Sequence, residues 1–125
     1  MNTYKPLNMY IPQEKINEIS KDFNAKVNFL NEKYRDRIIT NFINSIQNAD
    51  MKGLYKQNVW RYKAEFVAQD ISNIDNHKDY SNAILKEFFE GICRELKIEL
   101  INYQFSNVSE DETRVFFIIT IKNPL

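Results

Sequence analysis

The chain has 125 residues, 43% hydrophobic and 27% charged, which is the make-up of one globular domain spanning 1–125 with enough apolar side chain for a core. That balance excludes a disordered or low-complexity chain. Lys plus Arg and Asp plus Glu both number 17, so the formal net charge is zero, and there is no global surplus of positive charge to drive phosphate-led nucleic-acid binding.

Glycine (2) and proline (3) are scarce, so long elements with few breaks are expected. Residues 1–11 read as an N-terminal arm or an edge strand through Leu7, Met9 and Ile11. Pro12 suits the first position of a helix, where its missing N–H costs nothing. From there Ile16, Ile19, Phe23, Val27, Leu30, Tyr34, Ile38, Phe42 and Ile46 recur at steps of three or four, the stripe of an amphipathic helical segment over 12–51. Gly53 is a natural stop. A single helix of that extent would be about 60 Å long, against roughly 35 Å for the width of a compact domain of this size. A break near Asp22–Asn24, capped by Ser20 or Asn24, resolves the mismatch. Alternatively, another subunit covers part of the stripe, with Ile16, Ile19 and Phe23 as the candidate self-association residues.

Residues 54–125 read as strand, helix and hairpin. In VWRYKAEFVA, residues 59–68, a period of two places Trp60, Tyr62, Ala64, Phe66 and Ala68 on one face and Arg61, Lys63 and Glu65 on the other. Such a strand sends its rings to the core and its cations to water, which separates the two ingredients of a base-stacking surface. The polar run 69–78 reads as a loop. A helix over 79–96, capped by Asp79 or Ser81, carries Tyr80, Ile84, Leu85, Phe88, Phe89, Ile92 and Leu96 on its apolar side, with Glu90 and Arg94 in favourable i,i+4 order. Gly91 costs this helix about 1 kcal/mol relative to Ala, which a close-packed neighbour would explain. A strand with Ile101, Tyr103 and Phe105 on one side then pairs with RVFFIITIK as a hairpin. The last strand is apolar on both faces, the mark of an interior strand or one covered on both sides.

No residue pattern builds a catalytic site. His77 is the sole histidine, and with Asp75 and Asp79 it falls short of the ligands a metal needs, so no metal or cofactor is expected. Cys93 cannot form an internal disulfide and reads as a core residue. Glu110, Asp111 and Glu112 lack the glycine and ligand spacing of a calcium loop and read as a solvated turn. No segment approaches the roughly 20 apolar residues of a membrane span. The first fifteen residues lack the apolar core of a signal peptide, which points to the cytoplasm of a host or producing cell.

The expected fold is α+β: a long or broken N-terminal helical segment, then a strand, a helix and a C-terminal β-hairpin, in a small, mostly antiparallel sheet covered by helices. No motif assigns a family, although the element order resembles that of small tail-and-neck assembly proteins of bacteriophages. The leading functional expectation is a non-enzymatic protein–protein interaction module, an assembly subunit or small protein inhibitor, whose partner is another protein and which self-associates as a dimer. The alternative is a nucleic-acid-binding protein using Lys52, Lys56, Arg61 and Lys63 as a local basic strip. The sequence favours the former, with weak or absent nucleic-acid binding.

Overall fold

The computed structural model describes residues 3–49, 56–74 and 78–124. Lys52, Gly53, Asp75 and His77 lie outside them. Leu7–Met9 forms a single 3-10 turn, not an edge strand, with all three side chains exposed. Pro12 stands one residue ahead of the helix that follows, and its carbonyl accepts the N–H groups of Lys15 and Ile16.

The helical segment is one continuous rod. It comprises α1 (Gln13–Leu30), a π-helical turn over Asn31–Arg35 and α2 (Asp36–Gln47), with helical backbone at every junction. The expected break at Asp22–Asn24 does not occur. Capping preferences at Ser20 and Asn24 are local, and contacts to the later helix hold this turn in place: Asp22 accepts a hydrogen bond from Tyr80 at 2.6 Å, and Phe23 packs edge-on to the Tyr80 ring. The π turn has a reason in the sequence. Leu30, Tyr34, Ile38, Phe42 and Ile46 follow at four successive steps of four, and on a regular α-helix each such step drifts about 40° around the axis. A wider turn takes up the drift, so that Leu30, Tyr34, Ile38 and Phe42 are all buried.

Strand β1 (Val59–Val67) has Ala64 and Phe66 fully buried and Arg61, Lys63 and Glu65 exposed, as its period of two requires. The run after it is not wholly a loop: α3 (Ala68–Ser72) forms a short helix whose first N–H bonds the Thr113 carbonyl at 2.9 Å. Next comes α4 (Lys78–Leu96), which ends in a two-bond cap. Lys97, at φ 55°, donates to Arg94, and Ile98 donates to Cys93. A Cβ placed on Gly91 would meet only the far end of Arg94 at 3.9 Å, so close packing does not explain that glycine. Arg94 reaches Glu87 at 3.0 Å, and Glu90 faces Lys86; the expected Glu90–Arg94 pair is not made.

Strands β2 (Leu100–Val108) and β3 (Arg114–Lys122) form the hairpin, and the sheet order is β1-β3-β2, antiparallel throughout. The two-faced strand β3 is interior, as its apolar pattern implies. Its faces are not equally covered: Val115, Phe117, Ile119 and Ile121 are buried in the main core, whereas Phe116 and Ile118 are only half-buried and stand outside it. Register shifts in β2 between Leu100 and Asn102 and between Phe105 and Asn107 place Leu100, not Ile101, opposite Ile121. At the hairpin tip, Asp111 accepts hydrogen bonds from the Ser109 hydroxyl and from the Thr113 hydroxyl and N–H, which hold its carboxyl down to about 2.

One core joins the layers. Phe66 sits at its centre, with ring centroids of Tyr34, Phe117, Phe88 and Phe89 at 4.8, 5.7, 6.0 and 6.0 Å. Trp60 packs at the margin of this cluster, and its indole N–H is buried without an acceptor among the described residues. No helix of the described residues is long and apolar enough to cross a membrane.

Candidate functional site

Three places combine chemistry with access. The first is the outer end of the rod. Although α1 is 18 residues long, its buried side chains are Val27 and Leu30; Phe23 packs half-buried against the core, and the turns before Phe23 extend beyond it. Ile19 is 53% exposed, Ile16 is half-buried, and Phe23 is half-buried in the seam with Tyr80. An open groove of about 760 Å³ runs between Ile19, Asp22 and Lys26 on α1 and Tyr80 and Ala83 on α4. Hydrogen bonds from Tyr80 and Lys26 hold the Asp22 carboxyl below its usual range. The arm that leads into α1 adds Tyr4, Leu7, Met9 and Tyr10, all exposed.

The second place is a polar tie inside the fold. Asp70, on α3, is 9% exposed. Its Oδ2 accepts a hydrogen bond from the Tyr34 hydroxyl and an ion pair from Lys33 at 2.7 Å, and the Tyr34 oxygen accepts the Val67 N–H at 3.0 Å. Burial by itself would raise the Asp70 carboxyl, but the hydrogen bonds from Lys33 and Tyr34 and the Lys33 charge carry it below its usual value. Burial and the Asp70 carboxylate push the Tyr34 phenol up to about 12, so it remains a proton donor to Asp70 at neutral pH. The arrangement fastens the π turn of the rod to the end of β1. A phenol that holds its proton this tightly is poorly matched to general acid–base work near pH 7. Tyr34 reads from sequence as one more stripe residue, and nothing in the 69–78 run marks Asp70 as its partner.

The third place is the face of the sheet turned away from the buried core. Residues directly across neighbouring strands share a face, and the register lines up three rows: Arg61–Thr120–Asn102, Lys63–Ile118–Gln104 and Glu65–Phe116–Asn107. The Lys63 ammonium lies 4.6 Å from the Phe116 ring centroid, and Glu65 pairs with Arg114 at 3.3 Å. The cations of β1 therefore do share a surface with an aromatic ring, contributed by β3. Alternation within one strand cannot reveal this, because the ring belongs to the next strand. Of the four lysines and arginines in the basic strip, Lys56, Arg61 and Lys63 are described and exposed, with Lys56 in the turn that precedes β1.

Cys93 is buried on α4, and burial with the nearby Glu90 pushes its thiol up to about 11. Among the described residues no three His, Cys, Asp or Glu side chains come together as metal ligands would. Compared with protein-family models, curated proteins and solved structures, the chain matches none.

Proposed function

We propose that the chain is a non-enzymatic protein–protein interaction module, acting as an assembly subunit or as a small inhibitor of another protein, and that it self-associates as a twofold dimer. The observation that carries this reading is the overhang of α1: its turns before Phe23 pack no side chain against the chain's own core, yet they carry Ile16 and Ile19 at helical spacing. Exposed apolar surface gathered at one end of a small protein is characteristic of an interface. A helix stripe is also self-complementary, since two copies laid antiparallel cover each other with the same residues, as a twofold contact requires. The flanking charges are Glu14, Lys15, Glu18, Lys21 and Asp22, nearly balanced in sign, so nothing there repels a second copy. The mass in solution tests it. Light scattering coupled to size exclusion at high micromolar concentration should give twice the 15.0 kDa of one chain. Ile19→Asp should give monomers that still fold, because Ile19 is exposed in its own chain, with a melt lowered only by the lost contribution of dimerisation. A wild-type protein that stays at the single-chain mass defeats the dimer.

A further inference from the structure

The outward face of the sheet is organised by column as well as by row. On β1 stand the cations Arg61 and Lys63, down the centre of β3 run Phe116 and Ile118, and on β2 stand the amides Asn102, Gln104 and Asn107. The β1 and β2 residues of these columns are exposed, and Phe116 and Ile118 are half-buried. One further cation, Lys122, extends the face opposite Val59. The acidic side chain in the rows, Glu65, is neutralised by its pair with Arg114. Within the three rows, the charges left without an ion pair among the described residues, Arg61 and Lys63, are thus both positive, although the whole chain is neutral.

We propose that this face binds single-stranded nucleic acid. A flexible single strand needs cations along one side for its phosphates, an apolar or aromatic ridge for its bases, and groups that both donate and accept hydrogen bonds at the base edges. The three columns supply these in that order across the sheet, and side-chain amides are neutral groups that both donate and accept. Lys63 caps the Phe116 ring, and its flexible stem lets the ammonium swing to a phosphate while a base takes its place over the ring. A polyacidic peptide such as polyglutamate would use the cations but offers no ring to stack on the ridge. A rigid duplex would keep its bases stacked away from the ridge.

Anisotropy of a short labelled oligothymidylate titrated with the full chain tests this. Three cations that make no ion pair among the described residues, Arg61, Lys63 and Lys122, predict a salt slope of about −2, and so a loss of roughly 15–20-fold in affinity between about 50 and 200 mM salt. Arg61→Glu/Lys63→Glu should abolish binding. Phe116→Ala should weaken it by about tenfold through lost stacking, with the thermal melt followed in parallel. Gln104→Ala, at an exposed position that leaves the core intact, should weaken it by a smaller factor even if the Phe116 variant loosens the fold. No binding at low salt overturns the proposal, and so does binding that survives the charge reversal. Equal affinity for a duplex of the same length, or equal competition by polyglutamate, also overturns it, because either reduces the face to a patch of charge.

Discussion

Phe66→Ala is the sharpest probe of the fold that positions these surfaces. Phe66 is fully buried and touches four aromatic rings drawn from the rod, α4 and β3. Removing a buried Phe loses its transfer free energy, roughly 1.5–3 kcal/mol, and leaves a cavity among large, stiff neighbours that collapse poorly. Core Phe→Ala changes cost about 3–5 kcal/mol, and the lost ring–ring contacts place this one in the upper half of that range. The expected loss is about 4 kcal/mol, which lowers a urea midpoint by about 2 M at the slope typical of small domains. Phe105→Ala is the matched control. That ring is 56% exposed and faces one aromatic neighbour, Phe117, at 5.9 Å, so its loss should stay under about 1 kcal/mol. Urea unfolding followed by tryptophan fluorescence and circular dichroism measures both. A Phe66→Ala loss below about 1 kcal/mol, or equal losses for the two variants, would refute the strand register and the core built on it.

Two further outcomes follow from particular contacts. Tyr34→Phe removes a hydrogen bond to a charged carboxylate and the acceptor of the Val67 N–H, and should cost about 2 kcal/mol at neutral pH. The Asp70 carboxyl lies below its ordinary value in the folded chain, so its contribution to stability is complete above about pH 4 and fades as pH falls through the folded-state pKa. The gap between wild type and Tyr34→Phe in urea midpoint should accordingly narrow on acidification, and a gap that widens would contradict the tie. Gly91→Ala should stabilise α4 by about 1 kcal/mol, since a Cβ there meets ordinary contact distance; a fall in melting temperature would show an obstacle the geometry does not contain.

The local period of each segment was legible in the sequence. Alternation in VWRYKAEFVA makes β1 a strand with one wet face, the three-and-four spacing makes the rod and α4 helices, and apolar residues on both faces of RVFFIITIK make β3 interior. These properties depend on side-chain direction along one backbone, which a residue's neighbours in sequence determine. What the tertiary structure decided is how the segments meet. The rod continues through Asp22–Asn24 because Tyr80, far along the chain, grips that turn, and this outweighs capping preferences of about 1 kcal/mol. Asp70 becomes a buried partner of Tyr34 and Lys33 because α3 forms where the sequence reads as a loop. Lys63 shares a face with Phe116 because cross-strand register pairs Glu65 with Phe116 and Lys63 with Ile118. Each strand's own pattern fixes which of its faces turns inward, but not which strand lies beside it or by how many residues the two are offset; that pairing is a product of the whole chain burying its apolar area at once.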